Sequence, residues 1–252
     1  LWNKPIVGFK IGKEEIEYWK NELVDLEPVE FPTDFVRPTY RLNEGGMLYF
    51  DIDKTIELKI REYAKEHSST VNIVLFAAII TLLHKYTGST TPVVGTTVTN
   101  RDDDELENLL GCFINNLVIS VDISSDMSFD EISSKVKEKM FSAYDNKDVP
   151  LENLIEAINP PRDSSRTPFY EVGFNYNPRK RLDLSLEGCE CEEFRLGDYL
   201  ALVDMNFQLH DDNDSLCGFV EFNRSLYCRE TVIGIVNHYQ VLLSNCISNS
   251  SS

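Results

Sequence analysis

Hydrophobic positions recur along the chain at two spacings, one of about 3.6 residues and one of two, and the switches between them mark the elements. Residues 13–23 pattern as a short amphipathic helix. A proline-punctuated stretch over 28–38 cannot continue it, so residues 1–40 read as a connector outside the core. Residues 47–52 look like a strand, and over 54–66 Ile56, Ile60, Tyr63 and Ala64 fall on one helical face. Residues 71–86 are apolar nearly all round, with Ser69 or Thr70 placed to cap and Gly88 to stop, which predicts a central buried helix. Residues 92–99, rich in Val and Thr, read as a buried strand. An acidic turn at 101–105 and a short helical stretch lead from there to Gly111.

The next segment is less regular. From Leu117 it alternates as a strand, yet it begins with Asn115 and Asn116, a residue type depleted in strands. Two side-chain amides there either cap backbone groups where the strand starts or face a wet crevice. Ser128-Phe129-Asp130-Glu131 has the form of a capping box and opens a helix to about residue 144. A shorter helix over 151–158 ends at Asn159-Pro160-Pro161. Strands follow at 169–176, 200–209 and 216–223, the last two joined by the turn-forming Asp211-Asp212-Asn213-Asp214. A final helix over 230–246 carries Val232, Ile235, Val236, Tyr239, Leu242 and Leu243 on one face. Interleaved helices and strands with a closing hairpin predict an α/β (α+β) fold with a mixed sheet over residues 41–247, and the serine-rich 248–252 reads as a disordered tail.

Charge and composition narrow the classes. A net charge of −18 repels nucleic acid and anionic lipid surfaces, so neither is an expected partner. The longest apolar run, 71–83, is shorter than the roughly 20 residues a bilayer span needs. Cysteines at 112, 189, 191, 217, 228 and 246 show no CxxC spacing, which reads as reduced thiols in a cytoplasmic protein. With no initiator methionine and no secretory pattern, the chain looks like a piece of something longer.

Most catalytic templates are missing: there is no G-x-S-x-G, Walker loop, dinucleotide fingerprint or H-E-x-x-H. His84 and His238 read as structural and His67 as a surface residue. His210 and Asp211 are adjacent on a strand and so point to opposite faces.

Four segments together resemble one family, the condensation domains of nonribosomal peptide synthetases. Asn146-Lys147-Asp148-Val149-Pro150-Leu151-Glu152 resembles their HQDxPFE motif and Gly111-Cys112-Phe113-Ile114-Asn115-Asn116-Leu117 their GxFVNTL motif. Arg162-Asp163-Ser164-Ser165-Arg166-Thr167-Pro168-Phe169 is similar to RDxSRNPL, and Val94-Gly95-Thr96 with Asn100-Arg101 to VGTPxxNR. Tyr18-Trp19 and Phe31-Pro32-Thr33-Asp34 with Arg37-Pro38 also fit the family's YW and LPTDxxRP. Asn146-Lys147 stands for His-Gln, Leu151 for Phe and Asn116 for Thr, and no two histidines are adjacent, so the family's HHxxxDG motif is not in this sequence.

The resemblance implies the C-terminal, chloramphenicol-acetyltransferase-like lobe of such a domain, with an active-site tunnel between it and an N-terminal lobe. Donor and acceptor carrier domains would bring phosphopantetheine thioesters, an adenylation domain would adjoin, and no metal or bound cofactor is implied. The acceptor amine attacks the donor thioester, so the lobe alone would be inactive without the histidine. Asn115 and Asn116 are then candidates for the tunnel wall. Asp148 and Glu152 are expected to cap the helix around Pro150, and in the Arg162 motif Asp163 and Arg166 to pair or pin loops. Arg179-Lys180-Arg181, a basic run in an acidic chain, is either a solvated loop or a docking patch for an acidic carrier. Two other readings remain: a silent condensation-like module that recruits a partner protein, or a heterocyclisation or epimerisation relative.

Overall fold

The computed structural model describes residues 12–100, 109–178, 188–189, 199–212 and 215–249. Six helices lie within them: α1 (Lys13–Leu23), α2 (Lys54–Glu66), α3 (Val71–Thr87), α4 (Phe129–Asp145), α5 (Leu151–Ile158) and α6 (Arg229–Ser248). Their ends follow local chemistry. Thr70 Oγ1 accepts the Ile73 N–H at 3.3 Å to start α3, and Gly88 at φ 70° ends it. Ser128 and Glu131 cap each other's backbone N–H groups at α4. Every residue of α3 from Ile73 to Leu83 is buried, as its all-round apolar pattern requires.

The strands are β1 (Glu44–Asp51), β2 (Val93–Thr99), β3 (Ile114–Ser120), β4 (Val172–Asn177), β5 (Tyr199–Leu200), β6 (Met205–Asp212) and β7 (Ser215–Asn223). They form one mixed sheet in the order β3-β2-β4-β6-β7-β1-β5. β4 runs parallel to β2 and β6, and the other pairs are antiparallel. One face is apolar: Phe174 meets Phe76 of α3 edge-on, and Phe207 packs on Tyr239 of α6. The alternate positions Asn175, Gln208, His210, Cys217 and Glu221 are half-buried on the other face. Among the described residues no single helix is long and apolar enough to cross a membrane.

Several boundaries depart from the sequence reading. The leading segment is not a connector outside the core: Trp19, Leu23 and Phe31 are buried in it, and Trp19 Nε1 donates to the Asn146 carbonyl at 2.7 Å. The expected strand over 200–209 is two strands, because Asp204 turns in to meet Arg37 and Arg41. The strand expected from 169 starts at Val172, since buried Phe169 sits at φ 74°, in the left-handed region. Ser248, assigned to the tail, is the last residue of α6.

Candidate functional site

Parallel strands leave room at their carboxyl ends where neighbouring connections diverge. β2 and β4 share a single ladder pair, Gly95 opposite Gly173. Both glycines are demanded by space, because a Cβ at Gly95 would overlap the Tyr170 ring and one at Gly173 the Asn206 amide. Past that pair the strands fork. Asn175 Oδ1 takes the Thr97 N–H at 2.8 Å and the Thr97 hydroxyl at 2.6 Å, replacing the backbone carbonyl of a continued ladder. Asn116 stands opposite Thr97 in the β2–β3 register. Among the described residues the fork is therefore lined by Thr97, Asn116 and Asn175, none of them titratable. The Asn116 amide and the Asn175 Nδ2 make no hydrogen bond to another described residue, and both side chains are only half-buried. These three side chains can hold amide and carbonyl groups but cannot themselves move a proton.

Asn115 points to the other face and is fully used by the chain. Its Nδ2 donates to the carbonyls of Lys147 and Val149 at 2.7 and 2.8 Å, and its Oδ1 accepts from Asn116 N and Leu151 N at 2.9 and 3.3 Å. Of the two roles open to it in the sequence, capping is the one its bonds describe. This bears on Asp148 and Glu152 as well. The α5 N-cap is Pro150, which has no side-chain acceptor, and neither acid makes a capping hydrogen bond. Asn115 supplies the acceptor from a strand, while Glu152 sits exposed in the first turn, where a negative charge suits the helix dipole.

The Arg162 motif opens a buried charge cluster. Arg162 itself is exposed. Asp163 accepts from the backbone and hydroxyl of Ser165, which holds its pKa below the usual carboxylate range, and its other oxygen lies 3.4 Å from Arg166 Nε. Arg166 reaches across to Glu30, as does Arg37, which also grips Asp204. Arg41 bonds Glu171 at 2.5 Å and the Leu202 carbonyl at 3.0 Å. Asp204 and Glu171 are both 0% exposed. Burial first, and the Asp204 charge second, push the Glu171 carboxyl up to about 7 against the pull of Arg41. Sequence reading missed Glu30, Arg41, Glu171 and Asp204. Lone acids in an acidic chain give no signal until the fold brings the arginines to them.

Arg179, Lys180 and Arg181 lie outside the described residues. His84 Nδ1 donates to the Ser89 carbonyl at 2.6 Å, and His238 Nδ1 meets Tyr86 Oη at 2.6 Å. His67 stacks on Tyr63 and lies 3.4 Å from Asp130. Asp211 pairs with Arg61 and Tyr176 on the helix side, away from His210. Among the described residues no group of three or more His, Cys, Asp or Glu side chains is arranged to hold a metal ion. A pocket of about 250 Å³ lined by His84, Met127, Phe129 and Cys246 lies among the helices, remote from the fork.

Residues 2–252 match the family model described as Condensation domain. The chain is 31% identical over 247 residues to the beauvericin nonribosomal cyclodepsipeptide synthetase BEA1 of Gibberella fujikuroi, spanning 97% of this chain and 8% of that protein. The complex of the X-domain and OxyB from teicoplanin biosynthesis superposes with a TM-score of 0.85 at 24% identity, over 94% of this chain and 53% of that one. The first condensation domain of the calcium-dependent antibiotic synthetase, with a substrate analogue, gives 0.77 at 18% identity over 95% and 51%. The chain thus spans about half the length of these two structures, and at such identities they speak to the fold.

Proposed function

This chain belongs to the condensation-domain family of nonribosomal peptide synthetases, and on that premise we propose that it forms the C-terminal lobe of a domain that joins two carrier-bound acyl groups through a peptide bond. The observation that carries the proposal is the fork between β2 and β4: an Asn116 side-chain amide and an Asn175 Nδ2 that no described residue engages, and no acid or base among the described residues that line it. A thioester is already activated, so an acceptor amine needs positioning against it and one group to take its proton. The fork amides hold the pantetheine and substrate amides, and the imidazole comes from the N-terminal lobe with its HHxxxDG motif. No metal or bound cofactor takes part, and phosphopantetheine arrives on donor and acceptor carriers beside an adenylation domain in the cytoplasm. In this reading Arg179, Lys180 and Arg181 steer an acidic carrier toward an otherwise repelling surface.

The likeness to an X-domain in complex with OxyB supports a second reading, a silent module that recruits a partner protein. Amide formation from two loaded carriers by the complete domain separates the two. Asn175→Ala lowers it if the lobe serves catalysis, and no amide forms in any variant if it recruits.

A further inference from the structure

The β6–β7 hairpin sets His210 directly opposite Cys217, on the face of the sheet that carries Asn175. Adjacent residues on each strand point the other way: Asp211 is engaged with Arg61 and Tyr176, and Leu216 and Gly218 are buried. Cys217 Sγ lies 3.3 Å from His210 Nε2 and donates to the His210 carbonyl oxygen at 3.8 Å, so the ring nitrogen is the nearer of the two polar atoms. Both side chains are half-buried, which shields the pair without sealing it. A thiol in contact with an imidazole is the arrangement that generates a thiolate nucleophile near neutral pH.

We propose that Cys217 and His210 form a nucleophilic dyad that accepts an acyl group from a thioester. The class of acyl donor rests on the function proposed above. The Cys217 proton passes to His210 Nε2, and the thiolate attacks the thioester carbonyl carbon. A new Sγ–C bond forms as the bond from carbon to the pantetheine-type sulfur breaks, and the imidazolium returns its proton to the leaving thiolate. One thioester is exchanged for another, so no oxidant or cofactor is consumed. Cys217 stands on β7, two strands across from Asn175 on β4 and two residues further along, a span of about 12 Å at ordinary strand geometry. A pantetheine arm held at the fork can reach across it.

The test is mass spectrometry of the full chain after incubation with the acetyl thioester of N-acetylcysteamine. The dyad predicts about one acetyl group, mapped to Cys217, although Cys112 and Cys189 are more exposed. His210→Ala and His210→Gln should each slow that acylation about 100-fold at unchanged melting temperature. Modification that follows exposure, favouring Cys112 and Cys189, overturns the proposal. So does undiminished acylation of Cys217 in whichever histidine variant keeps its fold. Amide formation by the complete wild-type domain is scored separately. Its absence with Cys217 acylated removes the proposed function alone, and its presence without that acylation removes the dyad alone.

Discussion

Asn115 caps Leu151: the Oδ1 of a residue on β3 accepts the first backbone N–H of α5, whose own N-cap position is Pro150. The same side chain holds the carbonyls of Lys147 and Val149, so one amide fixes the whole turn between α4 and α5 against the edge of the sheet. Trp19 holds the other end of that turn through the Asn146 carbonyl.

Removing this amide should cost stability. Asn115→Ala leaves two carbonyls and a helix N–H without their partner, a loss of about 2 kcal/mol, or about 4–8 °C in melting temperature for a chain of this size. Asn115→Asp, which turns the two donors into acceptors facing carbonyls, should do no better. A melting curve within 1 °C of wild type for Asn115→Ala, roughly a quarter of the smallest expected shift, would show that the turn is held by something else.

The second prediction concerns Arg37 and Asp204. Arg37→Met strands a carboxylate that has no exposure, and unfolding in urea should show a loss of about 3–5 kcal/mol. Arg37→Met combined with Asp204→Leu should recover part of it, because two apolar groups bury more readily than one unpaired charge. Recovery is incomplete, since Arg41 also lies 3.5 Å from Asp204. A double variant worse than the sum of the singles would contradict the pairing.

How much of this was legible in the chain follows from the range of each interaction. α1, α2 and α5 begin and end where periodicity and their flanking residues place them, because those signals are local. The Ser128 box and the Gly88 stop are local as well. The clamp at Asn115 was open between two roles, because its partners are 32–36 residues away. Phe31 looked like part of a connector, since nothing within its neighbourhood shows that it packs on Phe207 and Tyr86. Asp148 and Glu152 have the right residue types for caps, yet the acceptor came from another strand. Of the fork, Asn116 stood out in the sequence as an amide at the start of a strand, whereas Asn175 carried no signal.

Glu171 gives the chain a pH dependence of definite sign. Its carboxyl titrates near 4.5 in an ordinary environment and about 7 in the folded chain, so between these values the folded state holds a proton that the unfolded state has released. The stability this residue contributes is complete below the lower value and is lost as pH rises through 7. Its slope approaches about 1.4 kcal/mol per pH unit, one proton's worth. Glu171→Gln should flatten that slope in denaturation series between pH 5 and pH 7. An unchanged slope would mean that Glu171 is ionised throughout, held so by Arg41 and the Thr167 N–H.

The basic run gives a prediction about partners. Reversing Arg179, Lys180 and Arg181 together to Glu in the complete domain should raise the apparent Michaelis constant for carrier-bound substrate by about ten-fold at low salt, with the effect shrinking as salt is added. An apparent constant that does not move with either charge or salt would reduce the run to a solvated loop.

The most direct measurement takes two thioester-loaded carriers and follows amide product with this chain alone and with the same chain covalently continuous with a lobe bearing HHxxxDG. One wall of a shared cleft predicts turnover by the continuous domain and none by the chain alone. Turnover by the unaided chain at a comparable rate would place the group that takes the amine proton within these residues and contradict the account.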